Sequence, residues 1–213
     1  MSGDKSLASL LDRCRNTVNT VVSNQEIRAA IAAYGFNDKK LSDGMSLLTN
    51  VSGFFERQEK EQAEAYVASQ AYIVAREENK QVFRDTVKLL RIAGKNSVEL
   101  PRLIPERVDI QNTGDFYKMA HTLYQNLCNN PAHEENLQAV GLAPKFFTDQ
   151  LSLLSEMDML RVKRDKEVAE ATTATAQRDM EFDQLQEYCK DLRTVAKIAL
   201  KNNLILSRLI NEL

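Results

Sequence analysis

The sequence predicts an all-α protein, and three observations carry that prediction. From Lys145 to Leu213 there is neither Gly nor Pro, and from Lys39 to Ala93 only Gly44 and Gly53 interrupt. Apolar residues recur at steps of three and four through most of the chain, the period of one helix face. The sequence also repeats itself: Tyr34 to Asn96 aligns without a gap on Val140 to Asn202, with 17 identities in 63 pairs. KEQAEAYVA at Lys60 to Ala68 meets KEVAEATTA at Lys166 to Ala174 in that alignment. Self-similarity at a fixed spacing constrains architecture before any motif does. The expected fold is an elongated helical bundle of two pseudo-symmetric tandem repeats, each a helix, a short helix and one long helix. Residues 1–97 form the first repeat, 98–112 a Pro-containing linker and 113–213 the second, together making one domain.

Taken in order, the first helix is marked by Leu7, Leu10, Leu11, Cys14, Val18, Val21 and Val22 at helical spacing, and it ends at the polar SNQE of Ser23 to Glu26. A short apolar helix follows and stops in IAAYGFND. Gly35 suits the left-handed residue that ends a helix, because it lacks a Cβ, and Phe36 can fold back on the last turn. Asp38 is then expected to cap the long helix by accepting from its free amides. The second repeat has the same plan. Phe116, Met119, Ala120, Leu123, Tyr124 and Leu127 mark its first helix, NNPAHEE its break and LQAVGLAP its stop, with Gly141 in the Gly35 role. Pro144 has its φ preset for the first helical position.

The long helices exceed the usual 25 residues or so, which points to bundle or coiled-coil packing. In the second, a heptad runs through Val168, Ala171, Thr175, Arg178, Phe182, Leu185, Cys189, Leu192, Ala196, Ala199, Asn203, Leu206, Ile210 and Leu213. Thr172 and Asn202 are the places where it would break. Ala63, Ala65, Ala68, Ala169, Ala171 and Ala174 are small enough for close helix packing, and the expectation is that the two alanine segments face each other. Tyr66 and Tyr72, replaced by Thr172 and Arg178 in the second repeat, are candidate subunit contacts if exposed.

Composition bounds the function. Lys plus Arg number 28 against 30 Asp plus Glu, for a formal net charge of −2, so no overall field attracts a polyanion and nucleic acid is not an expected partner. No apolar run reaches the roughly 20 residues of a membrane span. The charged N-terminus does not read as a signal peptide, and a cytoplasmic location is the default expectation. Cys14, Cys128 and Cys189 are an odd number at wide spacing and read as reduced core residues. A carboxylate-bridged di-metal bundle needs Glu-x-x-His. His121 and His133 both lack an acid three residues before them, so a metal site of that type is not expected; a carboxylate-only cation site is the weaker alternative, and no metal or cofactor is assigned. His121 reads as a half-buried helix residue and His133 as a loop or cap residue. There is no nucleophile elbow and no phosphate loop, and no catalytic residue is nominated.

One charged pattern repeats. Arg84, Lys88, Arg91 and Lys95 lie on one helix face, and Lys190, Arg193, Lys197 and Lys201 form a comparable stripe. Cations near a helix C-terminus complement its dipole; the functional alternative is contact with an anion or acidic partner. The V-G-L stop, ATTATAQRD at Ala171 to Asp179 and CKDLRTVAKIAL at Cys189 to Leu200 together resemble a family of uncharacterised bacterial proteins built from two all-helical repeats. This chain departs from it in lacking a Trp near Tyr188. The resemblance implies the fold and carries no activity or functional residue. The sequence therefore points to a non-enzymatic structural or interaction protein that self-associates through long amphipathic helices. The alternative is a bundle binding a small ligand or anion between its repeats, with or without catalysis there, and with Arg76, Arg178, Arg84 and Lys190 converging on it.

Overall fold

The structure is a computed structural model, and it describes residues 2–108 and 110–211. Among these residues the regular elements are helical and no strand occurs. In chain order they are α1 (Ser2–Ser23), α2 (Gln25–Ala32), α3 (Asp38–Ala93), α4 (Leu100–Leu103), α5 (Thr113–Cys128), α6 (Glu134–Gln138), α7 (Pro144–Ala199) and α8 (Leu204–Asn211), with 3₁₀ turns at Gly94–Asn96 and Pro131–His133. Among the described residues no helix is long and apolar enough to cross a membrane.

The helix ends follow from local chemistry. Asn24 Oδ1 accepts from the amides of Glu26 and Ile27 at 3.0 and 3.1 Å and starts α2. At its end Gly35 has φ +88°, its N–H bonds to Ala32 O, and the Phe36 N–H reaches back to Ile31 O. Gly141, with φ +79°, repeats this pattern after α6: its N–H donates to Gln138 O, and Leu142 N–H donates to Leu137 O, both at 2.9 Å. Both ends are Schellman motifs, in which Phe36 and Leu142 are buried against the closing turn. Pro144 is the first residue of α7. The cap of α3 corrects the sequence reading, since Asn37 Oδ1 accepts from Lys40 N–H at 3.0 Å. Asp38 is the first helical residue, where its charge complements the helix dipole. Neither Gly44, Gly53 nor Thr172 breaks its helix; α7 ends at Ala199 and Asn203 caps α8 through Leu206 N–H.

The chain forms two compact units, and neither is a sequence half. Unit 1 spans residues 1–63 and 169–213, so it combines α1, α2 and the first part of α3 with the last part of α7 and α8. Its core gathers Cys14, Val18 and Val21 from α1, Ile27 and Ile31 from α2, Leu41, Leu48 and Val51 from α3, and Leu206 and Ile210 from α8. Against these lie Phe182, Leu185, Cys189, Leu192 and Ala196. From Phe182 to Ala196 the heptad of α7 is thus buried in unit 1, where each large apolar side chain contributes about 1.5–3 kcal/mol, whereas Val168, in unit 2, and Asn203 are exposed. Leu213, the last heptad position, lies outside the described residues. Phe55 and Phe182 meet edge to face at 5.7 Å. Tyr188 lies across Gly44, meets Phe36 at 5.9 Å and donates its hydroxyl to Lys40 O at 3.0 Å.

Unit 2 spans residues 64–168 and combines the last part of α3, α4, α5 and α6 with the first part of α7. Phe83 is the centre of its core, edge to face with Phe116 at 5.7 Å and with Tyr124 at 5.9 Å. Tyr124 in turn packs on Phe146 and Phe147. The segment expected to be a linker contributes to this core, since its Leu100, Ile104 and Ile110 are buried in it. Arg91 Nη2 donates to Pro105 O and Glu106 O at 3.3 and 3.2 Å and ties that segment to α3. His133 is buried at the start of α6, and His121 is half-buried and stacked on Tyr117 at 5.8 Å.

Candidate functional site

An exposed series of residues runs along the part of α7 that lies in each unit. In unit 2 Met159, Val162 and Lys166, and in unit 1 Ala169, Thr173, Ala176 and Met180, follow steps of three and four, and every one is exposed. On a helix this is a heptad seam, mostly small or apolar, turned away from the buried heptad that starts at Arg178. Met159 is 62% and Val162 58% exposed, where a solvated face would carry charge. On α3, Tyr66 and Ile73, and Val67 and Val74, are seven residues apart and form a second exposed apolar stripe within unit 2. Tyr66 and Val67 are each 66% exposed. Ion pairs lie alongside: Arg161 with Asp158 at 2.8 Å, Arg164 with Asp165, and Arg76 with Glu77 at 2.9 Å. Asp158 holds the Arg161 guanidinium above its ordinary pKa through their hydrogen bond.

The two tyrosines singled out by the sequence part company. Tyr66 is exposed, whereas Tyr72 is buried beneath the Arg164 guanidinium, 4.6 Å from its ring centre, so Tyr72 offers nothing to a second subunit. In unit 1 the cation and the ring change helices. Arg178, itself buried, lies 5.3 Å from the Phe55 ring and donates to Gln58 Oε1 at 3.0 Å and to Asp179 Oδ1 at 2.7 and 2.9 Å. The alanines are also divided. Ala65, Ala68 and Ala174 are buried and Ala171 is half-buried, while Ala63 and Ala169 are exposed.

The basic stripes are not uniform faces. Arg84, Lys88 and Lys95 are exposed, and Lys88 pairs with Asp85 at 2.7 Å. Bonds from Lys88 and Gln81 hold the Asp85 carboxyl below the usual carboxylate range. Arg91 and Lys95 line a groove of about 580 Å³ with Gly94, Pro101, Ile104 and Glu106. On α7, Lys197 and Lys201 are exposed and Lys190 pairs with Glu187 at 3.2 Å. Arg193 instead turns inward, donating from Nε to the buried Thr17 Oγ1 at 2.9 Å. It borders a groove of about 380 Å³ that also reaches Cys14 and Cys189.

Sequence reasoning missed the exposed seam of α7, because Lys166 and Thr173 interrupt its hydropathy. Its signal was the seven-residue recurrence of small or apolar residues offset from the buried heptad. The chain is an all-α protein by its fold. Comparison with protein-family models, curated proteins and solved structures gave no match.

Proposed function

We propose that this is a non-enzymatic structural or interaction protein, a tandem duplication whose chain associates with further copies of itself through the exposed faces of α7 and α3. The observation that carries the reading is the set of exposed apolar residues that α7 and α3 hold within unit 2: Met159 and Val162 on the one, Tyr66, Val67, Ile73 and Val74 on the other. Stripes of that spacing are the form in which helices recognise helices, and apolar side chains held in water at heptad spacing gain free energy when a like helix covers them. Homo-oligomers are the common result, since a self-complementary stripe meets its own copy.

The duplication is supported by burial as well as by identity. Cys14, Val18, Val21, Ile31, Phe36, Leu41, Leu48 and Val51 are buried in unit 1, and Ala120, Tyr124, Leu127, Leu137, Leu142, Phe147, Leu154 and Met157, each 106 residues later, are buried in unit 2. Leu206 and Ile210 correspond likewise to Leu100 and Ile104, which brings α8 and α4 into the repeat. The units divide at residues 63/64 and 168/169, inside the two matching alanine segments. Each unit thus takes the first part of one long helix and the last part of the other, an exchange of helix ends between repeats. The Arg164–Tyr72 and Gln58–Arg178 contacts stand at equivalent places in that scheme. Native mass spectrometry tests the function: a dimer or higher oligomer without bound small molecule is expected, and a monomer carrying a stoichiometric ligand overturns it.

A further inference from the structure

Cys14 on α1 and Cys189 on α7 are distant in sequence yet adjacent in unit 1, with Cys189 Sγ 3.9 Å from the Cys14 carbonyl oxygen. Both are free thiols, 4% and 1% exposed, and both line the groove of about 380 Å³ whose rim carries Arg13, Lys190, Asp183 and Glu187. On their inner side both belong to the apolar core of unit 1. Here Thr17, fully buried, donates to Arg13 O at 2.8 Å and accepts from Arg193 Nε, so a guanidinium is fixed beside the thiols by a bond that points it inward. The corresponding positions of unit 2 hold Ala120, Leu123, Phe83 and Val87, all buried and apolar, with Phe83 packed on Phe116 and Tyr124. One unit fills this place with aromatic packing, and the other leaves a groove, two thiols and a cation.

We propose that Cys14 and Cys189 are a reversible thiol–disulfide pair, oxidised by a small peroxide entering the groove between α1 and α7 and reduced again by a low-molecular-weight thiol. Cys14 is the attacking sulfur: its hydrogen bond with Cys189 lowers its pKa against the opposing effect of burial, and the Arg193 charge lowers it further. Cys189 is raised by its contact with Cys14 and by burial. Thiolate character beside a cation is what makes a cysteine reactive toward peroxide. The Cys14 thiolate attacks one peroxide oxygen, the O–O bond breaks, and the departing hydroxide takes up the Cys14 proton as water. The resulting sulfenic acid is attacked by the Cys189 sulfur. The S–S bond forms, the S–O bond breaks, and hydroxide leaves with the Cys189 proton as a second water. Two thiols thereby lose two electrons and two protons, and one peroxide becomes two waters. Reduction consumes two equivalents of the small thiol, which leaves as its own disulfide. The bond covalently joins α1 to the last part of α7 and stiffens unit 1.

The test uses the full chain with Cys128→Ser, since the Cys128 thiol lies 3.7 Å from Thr148 Oγ1 and serine can keep that contact. Folded protein is treated with a small excess of hydrogen peroxide, then quenched and assayed for free thiols, intact mass and cross-linked peptides. Both thiols are expected to disappear together, the chain to lose two hydrogens in mass, and the Cys14 and Cys189 peptides to be joined within one chain. Dithiothreitol should restore both thiols, and the oxidised form should melt about 5 °C or more higher. Persistence of both thiols in tenfold excess overturns the proposal, as does a cross-link between chains. A second variant, Cys189→Ser, should accumulate Cys14 sulfenic acid that dimedone traps in the folded state. Labelling seen only after denaturation overturns the assignment of Cys14 as the attacking sulfur.

Discussion

Replacing Gly44 with alanine should destabilise the protein, although alanine is the better helix former. A Cβ built on Gly44 would lie 2.3 Å from Tyr188 Cζ and Oη and 2.4 Å from Cε1. Carbon contacts are most favourable at about 3.5–4.0 Å, so the ring must retreat by more than an ångström. It is not free to do so, because its edge packs against Phe36 and its hydroxyl is bound to Lys40 O at 3.0 Å. Overpacking of this kind costs about 1–3 kcal/mol and loss of the hydroxyl bond about 1 kcal/mol more, against a propensity gain of about 1 kcal/mol. The expected net loss is about 1–3 kcal/mol, read as a fall in the urea midpoint at unchanged slope. Gly53, in the same helix, is the internal control. It is exposed, a Cβ there meets nothing within 4 Å, and Gly53→Ala should gain roughly 0.5–1 kcal/mol. Tyr188→Val in the Gly44→Ala background should recover most of the clash term, since unit 2 carries Gln150 and Val82 at the corresponding positions. If Gly44→Ala proves as stable as Gly53→Ala, the packing described for Tyr188 is wrong.

Other substitutions bear on the same frame. Burial pushes both Tyr124 and Tyr188 up to about 12, so the neutral phenols are favoured in the folded state. That stability is complete below the ordinary phenol value near 10 and is lost as pH rises from about 10 through 12. Phenolate absorbance should lag in folded protein, and Tyr124→Phe should make the alkaline loss shallower, by about 3 kcal/mol at most. Ala68→Leu and Ala174→Leu should each cost about 1–3 kcal/mol, whereas Ala63→Leu and Ala169→Leu should stay within about 0.5 kcal/mol in thermal melts, because only the first two are enclosed. Arg178→Ala strips a buried amide oxygen of Gln58 of its donor and should cost about 1–3 kcal/mol. Arg178→Lys should recover less than half of that, since an ammonium cannot span Gln58 and Asp179 as the fork does.

The all-α class was legible because it rests on local rules: the absence of Gly and Pro, and a three-four period that Phe182, Leu185, Cys189 and Leu192 keep into the core. Gly35 and Gly141 were legible as helix stops for the same reason, since a positive φ is a property of one residue and its neighbours. The cap of α3 was misread by one position because Asn37 and Asp38 are both good acceptors, and only the turn geometry chooses between them. What periodicity cannot supply is the partner. It assigned Phe182 to a face but not to Phe55, and it gave no means of seeing that Cys189 would meet Cys14. Tyr66 and Tyr72 looked alike in sequence; six residues along a helix turn the second inward, beneath Arg164. The exposed seam of α7 was hidden by its own composition, because Lys166 and Thr173 dilute the hydropathy of Met159, Val162 and Met180.

Self-association through that seam can be read from sedimentation of the wild-type chain beside Met159→Glu/Val162→Glu. Both positions are exposed, so the paired substitution should leave the helical signal and melting behaviour of the chain essentially unchanged. The expected result is a concentration-dependent oligomer for the wild type at tens of micromolar, with association weakened at least tenfold, about 1.4 kcal/mol, in the variant. A wild-type chain that sediments as a monomer throughout that range, or an oligomer indifferent to two glutamates in its seam, would contradict the assignment.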